Sequence, residues 1–220
     1  RIVEEGAGLV LTDCLSTGVI NASTIYYTGS VIGTTTANTS LTTTNSYGSI
    51  GSYDVAIGRS GLSGTINSYP IELYARELVG KKAYQWTDLD FNKYWALVED
   101  DTPILQCFAD KSTSIAGLEK AFDTSWYTEG ASEYIITDRA DLYGLYMLSA
   151  SNTFSGKTIK LGADIVINEG NAKDWAKAEP ENVWYPIMKF AGTFDGQGHT
   201  ISNFYQNTWE MFGDYNDGYS

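Results

Sequence analysis

The segment Phe190-Ala-Gly-Thr-Phe-Asp-Gly-Gln-Gly-His-Thr-Ile-Ser-Asn-Phe204 limits most strictly what this chain can fold into. Phe194, Ile201 and Phe204 stand between Gly192, Gly196 and Gly198, with Asp195, Thr200 and Asn203 at the bends. Short β-branched and aromatic runs bounded by residues that tolerate positive φ predict two short strands and a tight corner. The pattern recurs near the start of the chain. Thr17-Gly-Val-Ile20, Thr28-Gly-Ser-Val-Ile-Gly33, Tyr47-Gly-Ser-Ile-Gly51 and Gly64-Thr-Ile66 each set a corner glycine before a β run. Asn21, Asn38, Asn45 and Asn67 stand between them, and asparagine favours turns because it accepts the left-handed region and bonds its own backbone. The threonine-rich stretch from Thr34 to Thr44 reads as a loop. Helical periodicity is absent from residues 1–68, so stacked short parallel strands are expected there and over 158–213.

Composition narrows the function. Acidic residues outnumber basic ones 27 to 14, a net charge of −13, which argues against unaided binding of nucleic acid. No apolar run approaches the roughly 20 residues of a membrane-spanning helix. With 220 residues the chain is long enough for one or two domains with a buried core. It opens on Arg1-Ile-Val-Glu4 and stops at Asp217-Gly-Tyr-Ser220, which reads as a piece of something larger.

The phrase at Phe190–Ser202 resembles the early repeats of a bacterial surface family, the GLUG-repeat β-helices, whose pattern is roughly F-x-G-T-F-D-G-x-G-H-T-I-S. Gly29-Ser-Val-Ile-Gly33 is similar to the repeat phrase, and Tyr53–Ser60 followed by Gly61–Ile66 matches it loosely, because Val55 or Ala56 replaces its first glycine. The resemblance implies an all-β chain, a right-handed parallel β-helix with cap segments and minor helix. It divides the sequence into the last strands and cap of one β-helix (1–109), a linker (110–133), and the opening cap and first strands of a second (134–220). Phe91, Trp95, Leu97 and Ile104 are expected to cover the end of the first. A helix capped at Thr137-Asp138, with Leu142, Leu145 and Tyr146 on one face, is expected to open the second.

The implied function is structural or adhesive, in a secreted or cell-surface bacterial protein. Its partners would be copies of itself stacked head to tail into a fibre, or adjoining repeats. The competing expectation is a carbohydrate-binding or polysaccharide-active protein.

The residues that carry chemistry elsewhere are scattered here. His199 is the only histidine and has no His or Cys at motif spacing. Asp195-Gly-Gln-Gly198 is similar to a phrase of pectin-cleaving β-helix hydrolases, yet a lone aspartate beside glycines is what a tight corner needs. Asp88 with Asp90, Asp100 with Asp101, and Asp214 with Asp217 lack the spacing of a calcium loop and read as solvated turns. Cys14 and Cys107 form no metal-ligand spacing and read as unpaired thiols packed in β structure, with pairing left open. No catalytic, cofactor-binding or metal-ligating residue is assigned, and the chain is not expected to be an enzyme. Tyr26-Tyr27, Trp126-Tyr127, Trp184-Tyr185 and Tyr205–Trp209 are the residues from which a sugar-stacking face would be built.

Overall fold

The computed structural model describes residues 7–18, 29–33, 39–50, 57, 64–175, 177–206 and 212–213. The chain divides into two compact units, residues 1–120 and 121–220.

In the first unit, β1 (Gly8–Thr12), β3 (Ser40–Thr44) and β5 (Thr65–Ile66) form one parallel sheet in the order β1-β3-β5. A second parallel sheet follows the corner after each of these strands. It consists of β2 (Leu15–Ser16), β4 (Tyr47–Ile50) and β6 (Ile71–Tyr74), in the order β2-β4-β6. Ile32 and Ile57 make an isolated parallel bridge. Leu41, Tyr47, Ile57 and Leu73 line the core. The central strand β3 comes from the threonine-rich stretch read as a loop; Leu41 and Thr43 point inward, and β-branched Thr suits a pleated, half-buried surface.

A 3-10 turn, Ala75–Leu78, and the short helix α1 (Lys81–Trp86) follow β6 and bury Leu78, Ala83 and Trp86. The Lys120 ammonium closes the C-terminal end of α1. It donates to the carbonyls of Tyr84 (3.0 Å) and Thr87, pairs with Asp88 (3.2 Å), and lies 4.4 Å from the Tyr84 ring centre. Of the residues expected to cover the end of the unit, Phe91 and Leu97 are buried, while Trp95 is half-buried and donates from Nε1 to the Asp13 carbonyl (3.0 Å). An antiparallel pair, β7 (Trp95–Ala96) and β8 (Ile104–Leu105), brackets the exposed turn at Glu99-Asp-Asp101.

In the second unit, β9 (Glu133–Ile136) leads into α2 (Arg139–Ser149), the helix expected at Thr137-Asp138. Asp138 accepts from the Asp141 amide (2.9 Å), and Asp141 accepts in return from the Thr137 amide (2.7 Å). Leu142, Leu145 and Tyr146 are buried on one face. Next come β10 (Thr158–Leu161), β11 (Ile165–Val166), β12 (Ile187–Met188), β13 (Thr193–Asp195), β14 (Ile201–Ser202) and β15 (Phe212–Gly213). They pair in parallel as β13-β10-β9, β11-β14 and β12-β15.

Two expectations are corrected here. The chain is neither all-β nor a closed right-handed β-helix with cap segments. Among the described residues the strands form six separate sheets of two or three strands, mostly parallel, with α1 and α2 set into the order; the class is mixed α/β. Among the described residues, strands of two to five residues interrupted by helices and long connections trace no continuous winding. The assignments of 1–109 and 134–220 to two β-helices fall with it.

Residues within 110–133 are hydrogen-bonded to the units that contain them. Thr113 donates to the Leu97 carbonyl (2.7 Å), and Asp123 donates to the Ala140 carbonyl of α2 (2.9 Å). The packing of residues 121–134 on α2 is close enough to dictate a glycine: a Cβ on Gly144 would lie 1.8 Å from the Asp123 carbonyl oxygen. Alanine ordinarily stabilises a helix interior by about 1 kcal/mol over glycine. We expect Gly144→Ala to do the reverse, lowering stability by about 1–3 kcal/mol through forced displacement of the Asp123 backbone. Urea denaturation of the two proteins checks the sign.

Candidate functional site

The richest cluster of polar side chains lies at the corners between β10 and β11 and between β13 and β14. Gly196–His199 is a tight turn closed by the His199 amide on the Gly196 carbonyl (2.7 Å), with positive φ at Gln197 (49°) and Gly198 (82°). Two successive positive φ values define a primed turn, which explains the glycine at 198. Asp195 accepts from the Gln197 amide (3.0 Å) and from its side-chain amide. Asp164, on the neighbouring corner, accepts from the Thr200 amide (2.8 Å), and His199 Nδ1 stands 3.4 Å from the same carboxylate.

Each of these carboxylates serves the backbone. The Thr200 amide, helped by the Thr200 side chain and His199, holds the Asp164 carboxyl below the usual carboxylate range. The Gln197 amide and side chain lower Asp195, with Lys160 adding to them. His199 and Asp164 are exposed, and the pair ties one corner to the next.

A second cluster was not foreseen. Asn168 is buried; its side chain donates to the carbonyls of Asn182 (2.8 Å) and Asn203 (3.2 Å) and accepts from the Asn182 amide (2.9 Å). Asn182 donates to the Ile167 carbonyl (3.1 Å), and Asn203 donates to that of Asn168 (2.7 Å). The polar excursion between Asn168 and Val183 is therefore clasped at its base. The signal available in the sequence was an asparagine near each foot of the excursion.

The other candidates disperse. Asp90 accepts from the amides of Asn92 and Lys93 (both 3.0 Å), Asp101 from that of Thr102 (2.7 Å), and Asp88 pairs with Lys120. Asp214 and Asp217 lie outside the described residues. Among the described residues no three His, Cys, Asp or Glu side chains gather as a metal site would require. Cys14 and Cys107 are both free; Cys107 is exposed in a 3-10 turn, which corrects its reading as a packed thiol.

The aromatic pairs do not make one flat face. Trp184 and Tyr185 are buried (1% and 2% exposed). Trp126 and Tyr127 are half-buried and lie edge to face at 86°, in a cluster with Tyr134 and Phe154. Tyr26, Tyr27 and residues 207–209 lie outside the described residues. No described helix is long and apolar enough to cross a membrane.

No family model, curated protein or solved structure matches the chain.

Two outcomes follow from this geometry. Asn168→Ala strands the Asn182 amide and opens the base of the excursion; a loss of about 1–3 kcal/mol is expected, with faster proteolytic cleavage within 169–181. Mass mapping of the first cuts reads this out. Asp164 has a folded pKa below its unfolded one, so its contribution is present above the unfolded value and is lost as pH falls through the folded value. Thermal melting of Asp164→Asn should therefore fall less steeply than that of the native chain as pH drops below the ordinary carboxylate range.

Proposed function

We propose that this protein is a structural or adhesive component of the bacterial cell surface or its exterior, and that it works by association, without chemistry of its own. The observation that carries the reading is how the corner side chains are used. Asp164, Asp195 and Asn168 are committed to backbone amides and carbonyls. Among the described residues the chain builds short, mostly parallel sheets joined at polar corners. The edges of such sheets support repeated weak contacts, with other copies of the chain or with adjoining repeats, and multiplied weak contacts make firm adhesion.

The competing reading, a carbohydrate-binding or polysaccharide-active protein, is tested directly. Purified protein incubated with pectin, glucans and mucin glycans should release no reducing sugar above a buffer control. Release that is abolished in a folded Asp195→Ala variant would overturn the proposal in favour of the enzyme.

A further inference from the structure

The step Asp195-Gly196 carries a reaction that needs no substrate. A carboxyl beside a glycine amide can close on it. The bond between Asp195 Cγ and the Gly196 nitrogen forms, the Cγ–O bond breaks, and a water leaves with the carboxyl hydroxyl and the amide proton. The cyclic imide then takes a water back. Opening at Cγ restores aspartate, whereas opening at the Asp195 main-chain carbonyl carbon routes the chain through the side chain, as isoaspartate. No cofactor or second reactant enters. Glycine favours the closure, because no side chain crowds the attacking nitrogen. In this sequence Asp-Gly occurs at 195–196 and 217–218, and Asn-Gly does not occur.

The corner does not demand the glycine at 196. A Cβ on Gly192 would lie 2.7 Å from the Phe154 carbonyl oxygen, and Gly198 stands at φ 82°, so both of those positions need glycine. Gly196 is not at positive φ. Among the described residues a Cβ there would meet only the His199 carbonyl oxygen, at 3.7 Å, an ordinary contact. Alanine fits this position, and what glycine brings to it is an unhindered amide.

Two features of the corner restrain the closure. The Asp195 carboxyl carbon must swing over the Gly196 nitrogen, and the carboxyl must be protonated, since a carboxylate has no hydroxyl to lose. Strand pairing fixes the backbone, with Asp195 of β13 opposite Lys160 of β10. Gln197 fixes the side chain: its backbone amide donates to Oδ1 (3.0 Å) and its side-chain amide donates to Oδ2. Both oxygens are thereby engaged as acceptors, which favours the ionised form.

We propose that Asp195-Gly196 is a self-modification site, at which isoaspartate forms spontaneously at a rate set by the Gln197 side chain. Gln197 and His199 are exposed, so water reaches the corner for the second step. Isoaspartate lengthens the main chain by a methylene just where β13 passes into β14. The Thr200 amide, held by Asp164 at 2.8 Å, and Ile201, paired with Ile165, both lie downstream of that insertion. Modification therefore unfastens the tie between the two corners.

Ageing of the full chain tests this. The native protein, Gln197→Gly and Gly196→Ala are held in neutral buffer at a temperature where circular dichroism shows all three folded. Gln197 sits at φ 49°, so glycine suits its backbone and removes only the side-chain latch. Peptide mapping with electron-transfer fragmentation reads isoaspartate at 195, with Asp217-Gly218 in the same digest as the internal reference. Relative to that reference, isoaspartate at 195 should build up in the native chain and about tenfold faster in Gln197→Gly, the factor for one charge-assisted hydrogen bond that must break first. Gly196→Ala should suppress it without lowering the melting temperature. In urea the native and Gln197→Gly rates should converge, because the latch exists only in the folded corner. Equal rates in the folded native and Gln197→Gly proteins, or a difference that persists in urea, would overturn the proposal. So would isoaspartate at 195 that is absent from both, or that forms as fast in Gly196→Ala as in the native chain.

Discussion

Backbone hydrogen bonds between strands of two to five residues cannot hold a sheet by themselves, so the fold depends on side chains that satisfy the backbone at its corners. Asn45 donates to Asp13 (3.2 Å), and both sit at positive φ on adjacent corners. Ser68 takes the Thr43 amide (2.6 Å) and gives its own hydrogen to the Thr43 carbonyl (2.7 Å), in a buried setting. Asp164 holds Thr200, and Asn168 holds Asn182. A buried partner removed from such a bond costs about 1–3 kcal/mol, comparable to burying one whole apolar side chain. Corner chemistry and core packing thus contribute on the same scale. Asp13, Asn45, Asp164 and Asn168 are occupied with architecture.

That division explains which parts were legible in the sequence. The corner at Gly196–His199 and the capped helix α2 are local, and their signals are local: glycine where φ is positive, and Asp138 three residues ahead of Asp141. What runs between corners was less legible. Thr34–Thr44 suits a loop or a strand equally, and only pairing with Gly8–Thr12 and Thr65–Ile66 decides that Ser40–Thr44 is a central strand. The closed β-helix was inferred from the phrase at Phe190–Ser202 and its shorter variants within residues 1–68. Such a phrase specifies a corner; whether successive corners stack into a continuous winding depends on the lengths between them and on inserted helices. Contacts such as Gly144 against Asp123 leave no trace in a single sequence. The burial of Trp184 and Tyr185 was hidden for the same reason. An aromatic pair reads alike whether it faces solvent or lies, as Tyr185 does, stacked on Tyr146 at 5.0 Å.

Open strand edges are hazardous, because any exposed ladder invites indiscriminate pairing. Charge restrains this chain. A net charge of −13 sets every copy against every other at long range, and salt of physiological strength screens that repulsion beyond about 8 Å. Closer than that, short-range terms dominate, and among the described residues Val10, Ile135 and Val166 are apolar side chains exposed on strands. Repulsion at a distance therefore guards strands whose exposed apolar side chains would otherwise invite pairing.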